Sequence, residues 1–305
     1  MHSISFRQRQ ALWGVGLLAL GCAPLRAEQS HYATPEAAVQ ALIDAAAAEG
    51  RDALLAVLGP DLEELSSGDP VEDALERADF VEAALEATAI EQDNEDQAVV
   101  TVGPDDWPFP IPLMRGPEGW YFDTAAGREE LLNRRVGRNE LTTIEVARAY
   151  VDAQHEYAEA DPNGDGVKEF AQQLMSSEGA RDGLYWPAGE DEPESPMGSL
   201  IAQAMAEGYR KGAGPQPYHG YFYRILTAQG EQAPGGARSY VSDGKLTRGF
   251  GLVAWPAEYG NSGVMSFQVN QSGILYQKDL GAETSAAAAA IDAFNPDDTW
   301  EPVTD

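Results

Sequence analysis

The residue types best suited to chemistry lie in one polar turn, Asp161-Pro-Asn-Gly-Asp-Gly-Val-Lys-Glu169. Calcium binds several oxygen ligands from a tightly turned loop, and EF-hand loops supply acidic or amide side chains at positions one, three and five, then a glycine. The turn matches all four positions, and its ninth residue could add a ligand directly or through water. It therefore predicts a calcium site whose ligands are Asp161, Asn163, Asp165 and Glu169.

A second interpretation of the same turn needs no metal. Asn-Gly and Asp-Gly pairs favour positive backbone angles by themselves, and the twelfth position holds Gln172 where EF-hands have a bidentate glutamate. A turn that only breaks a helix is thus the alternative. After it, the sequence predicts a short helix around residues 168–176.

Motifs for nucleophilic or zinc catalysis are missing from the sequence. His155-Glu156 lacks the second histidine of a zinc-protease helix, and Gly260-Asn-Ser-Gly263 is shorter than a nucleophile elbow. His219 lies at the approach to a predicted strand. We therefore predict no catalytic residues and no bound organic cofactor.

A cluster of four arginines lies between residues 125 and 140, at positions Arg128, Arg134, Arg135 and Arg138. Such a cluster could bind an anion. It could instead pair with the many surrounding acids and bridge two domains, which is the interpretation we favour in so acidic a chain.

The first 27 residues have the order of a secretory signal peptide. Arg7 and Arg9 precede a short apolar run over residues 11–21, and Ala27 offers a small residue for cleavage. Cys22 ends a lipobox-like segment, so lipidation there is the alternative to cleavage after Ala27. Lipidation of Cys22 gives an acyl-anchored protein, whereas cleavage after Ala27 gives a diffusing one, periplasmic or secreted.

Charge and composition exclude several classes of partner. The formal net charge is −30, which repels phosphate backbones and anionic lipid, so we expect no nucleic-acid role. Cys22 is the sole cysteine, so cleavage after Ala27 leaves no disulfide. No later segment has the apolar length of a transmembrane helix.

The pattern of elements predicts an α+β fold in two domains. Residues 28–126 contain three helices, opening at Thr34-Pro35, and then a small curved sheet, which suggests a cystatin-like or NTF2-like unit. In the third helix (70–87) we expect the acids, Glu72 among them, to face solvent. The buried face should consist of Val71, Leu75, Ala78, Val81 and Leu85. Residues 127–305 combine the arginine-rich start, a long helix over 140–159 and an antiparallel meander.

Several motifs in order resemble an exported bacterial family known only as a domain of unknown function, number 2950. They include Trp107-Pro-Phe-Pro-Ile-Pro-Leu113, Gly137-Arg-Asn-Glu-Leu141, Asp182-Gly-Leu-Tyr-Trp186, His219-Gly-Tyr221 and Trp255-Pro-Ala-Glu-Tyr-Gly-Asn-Ser-Gly-Val264. The resemblance covers essentially all of the chain after the signal peptide. It implies a secreted or periplasmic protein and brings no catalytic residues with it.

A partial resemblance links residues 140–280 to the globular part of type II secretion pseudopilins and pilin-like proteins. It rests on the long helix with Ala149-Tyr-Val-Asp-Ala-Gln154 and on the later sheet segments. No apolar N-terminal helix with a prepilin cleavage motif precedes residue 140, so a detached pilin-like module is expected.

Two hypotheses for function follow. The first is a non-enzymatic binding or assembly module outside the cytoplasm, calcium-stabilised if the turn binds metal, with an envelope or secreted protein as partner. The alternative is a secreted hydrolase with an interdomain cleft lined by Arg134, Arg135, His155 or His219. A deep pocket holding a histidine bonded to a carboxylate would favour the hydrolase.

Overall fold

A computed structural model describes residues 29–48, 50–189, 192–209 and 216–304. The predicted signal peptide, residues 1–27, and Cys22 lie outside these ranges. Among the described residues, no helix combines the length and apolar character needed to cross a membrane.

The N-terminal half opens with helices. These are α1 (Pro35–Ala47), α2 (Arg51–Leu58), a 3-10 helix (Pro60–Leu65) and α3 (Pro70–Glu86). Thr34 caps α1 by accepting the Ala37 N–H at 3.2 Å, as its Thr-Pro start predicts. Asp69 caps α3 in the same way, since its Oδ1 accepts the N–H groups of Val71 and Glu72.

An antiparallel sheet follows, with strands β1 (Thr88–Asn94), β2 (Gln97–Val102), β3 (Trp107–Pro108), β4 (Leu113–Gly116) and β5 (Gly119–Phe122). Their order is β1-β2-β4-β5, and β3 pairs with β2. Strand β1 is absent from the sequence-based prediction because its side chains are nearly all exposed and carry no apolar alternation. Alternating burial along β2 places Ala98, Val100 and Val102 in the core shared with α1 and α2.

The burial predicted for α3 is wrong at three positions. Leu85, expected in the core, is 73% exposed, and Ala78 is exposed as well, whereas Glu72, expected in solvent, is only 3% exposed. Helical periodicity marks a stripe but does not say which tertiary neighbour covers each end of it. At its first turn, α3 is covered by the second half of the chain.

One helix, α4 (Thr124–Ala160), joins the two halves. It includes the predicted boundary at residues 126–127, the arginine-rich segment and the predicted long helix, and its 37 residues span roughly 55 Å. Asp123 caps its start, and Asp161 ends it in the left-handed region at φ 44°.

The second half contains two further helices and eleven strands among the described residues. These are β6 (Gln173–Met175), β7 (Gly183–Tyr185), α5 (Gly198–Glu207), β8 (Tyr221–Leu226), β9 (Ala228–Gln229), β10 (Arg238–Ser239), β11 (Val241–Ser242), β12 (Lys245–Leu246), β13 (Gly251–Pro256), β14 (Met265–Asn270), β15 (Tyr276–Asp279), α6 (Thr284–Ala289) and β16 (Glu301–Pro302). The main sheet is antiparallel in the order β16-β15-β14-β13-β8, and α4 packs against β13 and β14.

The helix predicted over residues 168–176 is wrong. The chain there is irregular and then forms β6, which pairs in parallel with β7. Gln154 on α4 explains why this segment is not helical. Its side chain hydrogen-bonds both the N–H and the carbonyl of Ala171, at 2.8 and 2.9 Å, so these groups are not free for a helix. The fold is α+β; its likeness to cystatin, NTF2 or pilin units stays a prediction.

Candidate functional site

A cavity of about 450 Å³ lies in the second half, between α4, α5, β7, the segment 216–218 and the main sheet. Five tyrosines line it: Tyr150, Tyr185, Tyr209, Tyr218 and Tyr223. The other walls are mostly aliphatic side chains and three methionines, Met175, Met197 and Met205. None of its described lining residues carries a charge. We call this cavity the tyrosine pocket.

Three hydroxyl groups of the pocket are engaged by the protein itself. Tyr150 donates to the Gly251 carbonyl at 3.0 Å and accepts from Gln154. Tyr209 donates to Asp69 Oδ2 at 2.8 Å, and the Tyr223 hydroxyl lies 3.2 Å from Thr143 Oγ1. These bonds fix the rings as walls of the pocket.

Four tyrosines of the pocket, Tyr150, Tyr209, Tyr218 and Tyr223, have raised pKa values. Burial, with the Glu207 charge as a smaller contribution, raises the pKa of Tyr218 to about 12. Burial is also the largest cause that raises the pKa of Tyr150, Tyr209 and Tyr223 above the ordinary phenol value. These four rings therefore offer apolar faces and neutral hydroxyls and supply no phenolate for nucleophilic attack.

A histidine–carboxylate pair lies beside the pocket. His219 Nε2 is 3.2 Å from Glu207 Oε2, and both side chains are 19% exposed. The His219 ring packs against Tyr218 and Tyr209, with centroid distances of 4.4 and 5.7 Å, and its backbone has a positive φ of 46°. Neither member of the pair lines the tyrosine pocket.

The arginine cluster pairs internally, as the favoured interpretation expects. Arg128 binds Glu64, Arg134 binds Glu130 and stacks over Trp107 at 4.6 Å, and Arg138 binds Glu76. Arg135 is 4% exposed and bridges the two halves, because it donates to the Leu65 carbonyl and to Asn261 Oδ1.

The contact between the halves, here called the joint, comprises Glu72, Arg135, Arg138, Asn139 and the turn Glu258–Gly263. Asn261 donates to the Ser66 carbonyl at 3.0 Å, and Asn139 donates to the Ser262 carbonyl at 3.1 Å. Beside it, Glu140 Oε1 accepts the N–H groups of Val264 and Met265, both at 2.9 Å. These bonds tie the turn, and the two residues that follow it, to α4 or to the N-terminal half.

Three of the motif segments that resemble a known family meet at this joint. They are the α4 segment 137–141, His219-Gly-Tyr221 and the strand-and-turn segment 255–264; the Ala257 N–H, for example, donates to the Gly220 carbonyl at 2.8 Å. The family model described as "Protein of unknown function (DUF2950)" matches residues 29–303. The chain belongs to the DUF2950 family.

No curated protein matches this DUF2950 chain. No solved structure matches it.

Three of the four predicted calcium ligands, Asn163, Asp165 and Glu169, lie close together, but a lysine lies among them. Lys245 of β12 binds the Asp165 carboxylate and lies 2.9 Å from Glu169 Oε1. Asn163 turns its amide nitrogen, not its oxygen, towards Glu169 at 2.6 Å. Within the described ranges, no group of three or more histidine, cysteine or acidic side chains has metal-binding geometry.

The pKa shifts of Asp165 and Lys245 are consistent with Lys245 being the cation that neutralises this turn. The hydrogen bond from Lys245 is the largest cause that lowers the pKa of Asp165, and the same bond is the largest cause that raises the pKa of Lys245. Asp161 Oδ2 accepts the Gly166 N–H at 2.9 Å, which closes the turn. Calcium would have to displace the ammonium group, so its binding stays a prediction.

Two groups escaped sequence reasoning. The tyrosine pocket draws its walls from residues 146 to 252, so no local motif marks it. Glu72 left a weak signal, since an acid three residues after the Asp69 cap has the spacing of a capping box. His155, considered for a cleft, lies exposed on α4 with its ring 5.4 Å from that of Phe250.

Proposed function

We propose that this DUF2950 protein is an exported, non-enzymatic binding module that holds an uncharged, apolar ligand in the tyrosine pocket. Its place outside the cytoplasm, periplasmic or secreted, rests on the N-terminal sequence, where the basic, apolar and small residues follow the order of a signal peptide.

The observation that carries the proposal is the pocket's size combined with the absence of charge in its described lining. A volume of about 450 Å³ falls in the range of small-molecule sites, roughly 300–1,000 Å³. A charged group brought into such a lining would lose its hydration without a counter-charge, whereas an apolar one gains by leaving water. Methionines add walls that adapt to the shape of the ligand.

A variant whose larger side chain fills the tyrosine pocket tests whether the ligand binds there. Ala204 on α5 is buried and lines the cavity, so Ala204→Trp should weaken binding of the neutral probe N-phenyl-1-naphthylamine at least about 10-fold, measured by fluorescence titration. Ala202→Trp is the matched control, because Ala202 is exposed on the same helix.

The control should bind the probe as wild type does, with circular dichroism confirming that both variants fold. Equal affinity in all three proteins, or equally tight binding of an anionic naphthalene sulfonate, would contradict an uncharged ligand in this pocket.

A protein partner in the envelope remains part of the proposal, with the edge strand β1 as its contact. Strand β1 lies at the end of its sheet and is exposed along nearly its whole length. Exposed edges accept an added strand. Glu91 and Asp93 on β1 discourage self-association and favour a partner strand with basic side chains.

The hydrolase remains the alternative, favoured by the His219–Glu207 pair at 3.2 Å. Such a pair could act as general base if a substrate reached it. Hydrolysis of p-nitrophenyl acetate by wild type, lost in His219→Gln, would support the hydrolase over the binding module.

A further inference from the structure

The hydroxyl groups of the tyrosine pocket divide into two kinds. Those of Tyr150, Tyr209 and Tyr223 hydrogen-bond to other parts of the protein. Those of Tyr185 and Tyr218 form no hydrogen bond with any residue in the described ranges. A hydroxyl that is shielded from water without a partner is costly, so a ligand that covers such a group must supply the partner or bind more weakly.

Tyr218 is held in place although its hydroxyl is not bonded. Its backbone exchanges two hydrogen bonds with Tyr221, at 2.9 and 3.1 Å. Its ring packs edge-to-face against the rings of Tyr209 and His219, with centroid distances of 5.0 and 4.4 Å. The Tyr209 hydroxyl also accepts the His219 N–H at 3.2 Å. The neighbours of Tyr218 therefore fix its ring, which is the arrangement of a donor prepared in advance for a ligand.

The surroundings of the Tyr218 hydroxyl favour a neutral ligand group. Burial is the largest cause that raises the pKa of Tyr218 to about 12, and the charge of Glu207 adds to it. The same negative charge repels an anionic acceptor such as a carboxylate. None of the described residues that line the pocket offers a positive charge to compensate for this repulsion.

The hydroxyl also calls for an acceptor in the ligand. A tyrosine hydroxyl has one O–H to donate and lone pairs that can accept. A ligand N–H would use a lone pair and leave the O–H unpaired, whereas a ligand oxygen pairs with the O–H directly. The aliphatic, aromatic and methionine side chains of the other walls suit an apolar body around that oxygen.

We propose that Tyr218 determines the ligand class of the tyrosine pocket by donating a hydrogen bond to a neutral carbonyl oxygen on an otherwise apolar molecule. The inference rests on the proposed function and narrows its ligand to ketones, esters and similar neutral carbonyl compounds.

Two compounds that differ in one oxygen test this role. Benzophenone carries a carbonyl between two apolar rings, and diphenylmethane lacks only its oxygen. Their affinities follow from competition against N-phenyl-1-naphthylamine. Tyr218→Phe removes the hydroxyl and keeps the ring, so it should weaken benzophenone binding about 5-fold, the value of one neutral hydrogen bond. It should not weaken diphenylmethane binding, because that compound has no group for the hydroxyl.

Two further tyrosines of the pocket provide matched controls. The Tyr223 hydroxyl is already paired with Thr143, so Tyr223→Phe should leave the ratio of the two affinities as in wild type. Tyr185→Phe should leave it unchanged as well. A ratio that falls in Tyr185→Phe and not in Tyr218→Phe would overturn the assignment to Tyr218. Circular dichroism checks that each variant folds.

Infrared spectroscopy of bound benzophenone reads the hydrogen bond itself. A hydrogen bond weakens the carbonyl double bond, so the carbonyl stretching band should lie at lower wavenumber in wild type than in Tyr218→Phe. A merely structural role of Tyr218 would not move this band. Equal bands in the two proteins would overturn the proposal.

Failure of this inference differs from failure of the proposed function. Displacement of the probe by both compounds, with the same affinity ratio in wild type and Tyr218→Phe, would overturn the role of Tyr218 and leave an apolar ligand in the pocket. Wild type that does not bind the probe, or binding that Ala204→Trp does not weaken, would overturn both.

Discussion

At the scale of single residues, the joint depends on a glycine whose backbone no other residue adopts easily. Gly220 has φ +72°, and a Cβ there would lie 2.7 Å from Asn139 Nδ2 and 2.8 Å from Ser262 Cβ. The segment after His219 therefore lies against the two residues that connect α4 to the turn. Glycine is needed both for its conformation and for its lack of a side chain.

We predict that Gly220→Ala lowers the free energy of unfolding by about 3 kcal/mol or more, from backbone strain and overpacking together. Gly236→Ala is a matched control, because its φ is +74° with no atom within 4 Å of the added Cβ. The free energy of unfolding of the control should fall by only about 1 kcal/mol, because it has the backbone strain without the overpacking. Urea unfolding measures both, and equal losses would show that the close approach to Asn139 is unimportant.

At the scale of elements, the turn after α4 is held to the β11–β12 hairpin by charge. Lys245 supplies a cation to Asp165 and Glu169, and Gln172 donates to the Gly244 carbonyl at 2.9 Å. The turn therefore has a structural role whether or not it binds a metal. The same lysine competes with any calcium ion for these carboxylates.

This competition gives a prediction for the calcium site. The melting temperature of Lys245→Met should rise with calcium relative to chelator, and by more than that of wild type, because two carboxylates lose their internal cation. Asp165→Ala should show no rise. If the melting temperatures of all three proteins are the same with calcium and with chelator, the turn binds no calcium and the predicted metal site is wrong.

Elements with a local signal were predictable from the sequence. The Thr34-Pro35 start of α1 and the span of α3 match the structure, because caps and prolines act within a few residues. Strand β1 and β6 were missed. Strand β1 is exposed and β6 follows a segment held by Gln154, so both depend on partners far away in the sequence.

At the scale of the whole molecule, α4 contributes to both halves. Leu131 packs on the N-terminal core, and Ala147, Tyr150 and Val151 belong to the second core. The joint lies along the helix between these regions. We therefore expect the two cores to unfold together, because α4 is common to both.

Leu141→Pro tests this expectation, since Leu141 is 65% exposed and lies in the middle of α4. Proline removes a helical hydrogen bond and should cost at least about 3 kcal/mol. Calorimetry should show one transition for wild type and two for the variant. Leu141→Ala keeps the helix and should stay within about 0.5 kcal/mol of wild type; two transitions in wild type would contradict the coupling.

The amino-acid sequence alone determined the α+β class, the family, the acidic surface and most helix and strand positions, because these follow from local spacing and composition. Only the tertiary structure decided that Glu72 is buried, that Lys245 lies among the predicted calcium ligands and that five tyrosines enclose one pocket. Each of these depends on side chains brought together from distant parts of the chain. The periodicity of the sequence does not indicate such contacts, because the burial and charge pairing of a residue depend on its neighbours in the folded structure.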